Sequence, residues 1–229
     1  MKLMTHVKIR GLCLAGLCLA AVFAFGPAGS ASAKVLLFVP STSFPYHLAG
    51  SGGPGTIETV KGAKITSTAV GALVLILNPT LFDAHLEFLG VKAEGLFACN
   101  TAGNASGVIL LNLLGHLGLA DPGDSPAVLL LIPSGFEFSC GIAGATKLRG
   151  SLIGLITAPG ILKSGQTSMT LKFEQAKGIQ KHTSFLLGNT LLTNQFEESS
   201  VLGGAFEQMG QSGEATLKAT SGSFEIKDE

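Results

Sequence analysis

Three side chains at two-residue spacing, Asp83, His85 and Glu87, come closest in this chain to a set that could hold a cation. On an extended strand alternate residues project to one face, so two carboxylates and an imidazole would point the same way. The ordinary wet face of a strand accounts for the same residues and is the simpler reading. The other histidines after residue 33, namely His47, His116 and His182, are scattered, with no HxH or HExxH spacing. A hydrolase would need His85 or His182 as a base carried to a serine and a carboxylate by folding alone, because no GxSxG elbow is present. Asp121-Pro122-Gly123-Asp124 places two carboxylates around a turn, too few oxygens for a calcium loop. Gly50-Ser51-Gly52-Gly53-Pro54-Gly55 lacks the Lys-Ser/Thr ending of a phosphate loop and is expected to be a turn or linker. Glu197-Glu198-Ser199-Ser200 is expected to be a solvated loop or edge strand. No catalytic residue and no cofactor are nominated.

The elements that would position such residues begin after a leader. Lys2, Lys8 and Arg10 precede an uncharged apolar run, Gly11 to Phe25, and Ala31-Ser32-Ala33 supplies a small-x-small cleavage site. The run is too short to span a bilayer comfortably. The spacing therefore predicts a secretory signal peptide over residues 1–33, cleaved after Ala33, and a single secreted domain over 34–229. A lipid anchor at Cys13 or Cys18 fits poorly, because leucine (Leu12, Leu17) stands where a small residue is required.

Cleavage removes three of the 15 basic residues and none of the 15 acidic ones, leaving 12 against 15 and a net charge of −3. That balance gives no electrostatic steering toward nucleic acid or anionic membranes. Two cysteines remain, Cys99 and Cys140. In an oxidising compartment an even pair reads first as a disulfide, and neither has a neighbouring His or Cys for a metal site.

Period-two alternation is clear along Leu81–Phe88, where Phe82, Ala84, Leu86 and Phe88 share one face. Met169, Leu171 and Phe173 oppose Ser168, Thr170, Lys172 and Glu174, and Ala215/Leu217 and Phe224/Ile226 repeat the pattern. One wet face and one dry face describe antiparallel sheet. Ala72–Leu77, Val108–Leu114, Val128–Ile132 and Leu152–Ile156 are apolar on both faces and suit strands covered on both sides. Within Val108–Ala120 a leucine-rich helix is the alternative to a strand and turn. Frequent Gly, Pro, Asn and Asp clusters, Pro133–Gly135 among them, read as turns, and the polar segment Gln175–His182 reads as a loop. The expected fold is all-β, an antiparallel β-sandwich, with a closed β-barrel as the alternative. A membrane barrel is a minor reading, since Tyr46 is the only tyrosine and tryptophan is absent.

Several segments in order resemble a group of uncharacterised secreted bacterial proteins common in high-GC Gram-positive genomes. They are Gly52–Thr59 (GGPGTIET), Phe136–Cys140 (FEFSC), Arg149–Thr157 (RGSLIGLIT), Leu171–Gln180 (LKFEQAKGIQ) and Phe224–Lys227 (FEIK), within residues 44–229. The resemblance implies a signal-bearing, β-rich protein with two cysteine pairs and no established activity. Cys99 and Cys140 occupy one pair; the other would fall near Ser67 and Val91, where this chain has none.

These readings lead to a secreted or cell-surface β domain, non-enzymatic, with a structural or binding role. The alternatives are an extracytoplasmic carrier of a small apolar ligand and a hydrolase whose site is assembled in space.

Overall fold

The alternating stretches do form strands. The structure is a computed structural model and describes residues 34–121, 125–157, 164–200 and 205–229. The leader, its two cysteines and Pro122, Gly123 and Asp124 of the Asp121–Asp124 turn lie outside the described residues.

The first half of the chain gives β1 (Leu36–Pro40), β2 (Tyr46–Gly52), β3 (Gly55–Thr59), β4 (Lys64–Ser67) and β5 (Ala69–Ile76). These are followed by β6 (Leu81–Leu89), β7 (Lys92–Ala93), β8 (Phe97–Ala98) and β9 (Ile109–Asp121). Next come the long strands β10 (Ser125–Ser139) and β11 (Ala145–Thr157), then β12 (Ser168–Phe173). Short ladders follow: β13 (Gln175–Ala176), β14 (Ile179–Gln180), β15 (Ser184–Leu187) and β16 (Thr190–Thr193). The chain ends with β17 (Phe196–Ser200), β18 (Glu207–Ala219) and β19 (Phe224–Asp228).

All pairings are antiparallel, so the all-β antiparallel fold expected from the sequence is what forms. The hydrogen-bonded path β12-β11-β10-β9-β6-β5-β2-β18 does not end at an edge, because β12 also pairs with β18. Eight strands thus close a circuit, which removes the unpaired edges an open sandwich would expose. A second, smaller circuit continues the same columns of backbone beyond it. Here β18 pairs with β3, β3 with β4, β4 with β7 and β7 with β8, while β17 bridges β11 and β18. The gap between β8 and β10 is closed by the isolated bridge Asn100↔Ser139, and the disulfide Cys99–Cys140 lies directly beside it. The expected cysteine bridge is present.

Alternation places one face of the long strands in a shared interior. Val128, Leu130 and Ile132 of β10, Leu111 and Leu113 of β9, and Leu152 and Ile156 of β11 are all buried in one apolar core. This explains why Val128–Ile132 is apolar on both faces. Ala127 and Leu129 point outward and pack with Ile153 and Ala120 under Phe185, delivered by the β15–β16 hairpin. The interior is apolar, whereas a membrane barrel turns apolar side chains to the outside. Among the described residues no helix is long and apolar enough to cross a membrane.

Four local expectations are corrected. Ile109–Asp121 is one continuous strand where a strand and turn were expected, and the alternative helix does not form, since burying its two faces against β6, β10 and β15 outweighs the helical preference of leucine. Gln175–His182 is not simply a loop, because Gln175 and Ala176 pair with Gln180 and Ile179 around a turn at Lys177-Gly178. Pro133–Gly135 is a bulge inside β10 rather than a chain reversal, the register shifting between Ile132 and Phe136. The stretch Gly50–Gly55 is a linker only at its centre: it ends β2 and starts β3, with Gly53-Pro54 the two-residue link between them.

Candidate ligand-binding cavity

The interior is not completely filled. A cavity of about 120 Å³ runs through it, lined by residues from seven of the eight strands of the larger circuit, all but β2. Ala72, Val74 and Ile76 of β5 and Phe82, Ala84 and Leu86 of β6 form one wall, and Leu130, Leu152 and Phe173 stand among those opposite. Interiors normally close to voids little larger than a water. An apolar void of about 150 Å³ stays dry and accepts a benzene-sized guest, so this space has the scale of a small or slim ligand. One end is shut by β1 and β19, where Phe38 stacks on Phe224 at 4.7 Å between ring centroids and Tyr46 packs alongside. The Tyr46 hydroxyl donates to the Ser221 carbonyl at 2.8 Å, and burial raises its pKa.

The wall is thinnest where β2 passes into β3. Residues 48–52 pair with 215–219 of β18, and residues 56–59 pair with 209–212, leaving Gly53, Pro54 and Gly55 opposite Gly213-Glu214 without a ladder between them. A Cβ on Gly50 would lie 2.0 Å from the Thr216 carbonyl oxygen and one on Gly52 2.2 Å from that of Glu214, so both positions need glycine for the strands to approach. A Cβ on Gly53 would meet nothing within 4 Å. The cavity reaches this seam at Gly53, Gly55, Ser67, Gln211 and Gly213.

Beside the seam the β13–β14 hairpin fills the interval where β18 changes partner from β12 to β17. Gln180 is buried, its side-chain carbonyl accepts the Gln211 backbone N–H at 2.8 Å, and its Nε2 has no partner. The base of this hairpin is clasped by Glu174, which takes ion pairs from Lys181 at 2.9 Å and Lys172 at 3.0 Å. Hydrogen bonds from those two lysines hold its carboxyl at about 2, well below the usual range.

The residues singled out from sequence sit elsewhere. Asp83, His85 and Glu87 share the outer face of β6, as the spacing required, and all three are exposed. His85 Nδ1 lies 2.6 Å from Asn112 Oδ1 of β9. Among the described residues no group of three His, Cys, Asp or Glu side chains gathers as a metal would need. Asp83 and His85 instead border an open outer groove of about 700 Å³, together with His47, Leu73, Asn112 and Leu114. His182 Nε2 is buried without a partner, and its pKa is lowered by burial and by Lys181. Among the described residues no histidine ring is hydrogen-bonded to a serine or a carboxylate, so no nucleophile–base pair is assembled.

Glu197–Ser200 is a strand rather than a solvated patch. Glu198 and Ser199 are buried, while Glu197 accepts from Arg149 Nε and Nη2, both at 2.7 Å. The guanidinium of Arg149 also lies 3.8 Å from the centre of the Phe206 ring.

The cavity was not legible as a set of chemical residues. Its signal in the sequence was the inward run of small and large apolar side chains on β5 and β6, which alternation alone cannot tell from a filled core. The chain matches no protein-family model, no curated protein and no solved structure.

Proposed function

We propose that the mature chain is a secreted, non-enzymatic binding protein that holds a small apolar ligand inside its circuit of strands. The observation that carries this reading is the 120 Å³ apolar cavity enclosed by the ring. Desolvating an apolar guest there gains roughly 25 cal/mol for each Å² removed from water, without any catalytic group. The leader and the cysteine bridge support an oxidising, extracytoplasmic setting for this role.

The test is calorimetric titration of the purified mature protein with toluene, together with native mass spectrometry for co-purified guests. Toluene is expected to bind at one site. Ala84→Leu pushes three extra carbons into the cavity from β6, and it should abolish binding while thermal melting shows the fold intact. If folded wild-type protein binds toluene no better than Ala84→Leu does, and carries no guest when isolated, the carrier reading is wrong.

A further inference from the structure

Resting on that carrier reading, we infer that the natural guest is an uncharged amphiphile, a slim apolar body ending in one hydroxyl, with its polar end seated at the β2/β3–β18 seam. In an antiparallel ladder, directly paired residues share a face. Ile57 packs on the core and pairs with Ile65 and Gln211, so Gln211 belongs to the inward row. Ser67 pairs with Gly55 one row further along, and a Cβ on Gly213 would come 3.4 Å from the Gly55 Cα.

The inward surface therefore carries a notch floored by two glycines, Gly55 and Gly213, and flanked by Ser67 on one side and Gln211 on the other. Both flanking residues line the cavity and are part-buried. Neither side chain makes a hydrogen bond to any described residue. A hydroxyl in this notch would meet the Ser67 hydroxyl and a carboxamide able both to donate and to accept.

Charge selects among head groups. Of the described residues lining the cavity, Glu214 is the one ionisable group. Its ladder partner is Lys172, and its neighbour Ala215 shares a row with the buried Leu171, so Glu214 belongs to the outer face at the mouth. An ammonium or carboxylate drawn inside would lose its hydration with no counter-charge to replace it. Alcohols are thus preferred over fatty acids and alkylamines.

The experiment titrates mature wild-type protein with octanol, octanoate and octylamine at neutral pH, with toluene as the control for the cavity itself. Octanol should bind at least about tenfold more tightly than either charged probe, the least that an unpaired charge at the site would cost. The paired change Ser67→Ala with Gln211→Leu should weaken octanol about fivefold, in line with one lost hydrogen bond, and leave toluene unchanged. Octanoate binding as tightly as octanol overturns the head-group assignment while the carrier reading stands. Octanol affinity indifferent to the paired change overturns the location. Failure of toluene as well as octanol falls on the carrier reading instead.

Discussion

The two circuits share columns of backbone but are joined in different ways. Around the larger one most ladders are long, the three-pair β11–β12 ladder being the exception: β2 pairs with β5 from Tyr46↔Ile76 to Gly52↔Val70, and β6 with β9 from Leu81↔His116 to Phe88↔Ile109. Around the smaller one β4–β7, β7–β8 and β17–β18 are ladders of two pairs each, and β8 reaches β10 through the single bridge Asn100↔Ser139. What continuous pairing supplies in the first is supplied in the second by the cystine. Short ladders bury little apolar surface and give each backbone bond few cooperative neighbours, so the smaller circuit is the half expected to open first.

Removing the covalent link is the most direct way to break this comparison. The bridge spans 41 residues of sequence, and opening a loop of that size should cost about 4 kcal/mol on the chain-entropy estimate. Cys99→Ser with Cys140→Ser should therefore lower global stability by that order in denaturant titration. Hydrogen exchange should show the loss first in Phe97–Asn100 and Phe136–Ser139, with Ala72–Ile76 and Leu111–Leu113 retaining protection. Uniform loss across both circuits would show that they unfold as one unit.

A second contrast lies within the seam. Gly50→Ala sets a methyl against the Thr216 carbonyl, backbone that cannot swing away, and should cost roughly 3 kcal/mol. Gly53→Ala, three residues on, places its methyl in open space and should stay within about 0.5 kcal/mol. Comparable losses in the two variants, read by thermal melting, would mean that the seam is closed by tight packing along its whole length rather than left open at Gly53.

The larger circuit was more legible in sequence than the smaller one, for a physical reason. Long strands with one buried face write a period of two, and Phe82, Ala84 and Leu86 announced theirs. A cystine between two isolated cysteines was equally readable, because compartment and parity decide it. Pieces such as Lys92–Ala93 and Phe97–Ala98 are too short to carry a period, and Glu198 read as a solvated acid because burial by β11 and β18 is a tertiary fact. Asp83, His85 and Glu87 drew notice as ligand types yet line the outer face, while the cavity is made of residues that carry no chemical flag.

The smallest effect tests the handover between the circuits, where β12 ends at Phe173 and the β13–β14 hairpin takes over. Glu174 is held there by Lys172 and Lys181, with its carboxyl at about 2. A carboxyl whose folded value lies below its unfolded one contributes stability that is complete above the unfolded value, near 4.3, and is lost as pH falls toward 2. The pairs are partly open to water, so screening limits the contribution to roughly 1 kcal/mol. Melting of wild type against Glu174→Gln should therefore differ by about that amount at pH 6 and converge by about pH 2, with the difference shrinking in high salt. A gap that persists unchanged through that window would assign the clasp to the Gln180–Gln211 hydrogen bond and hairpin packing rather than to the carboxylate.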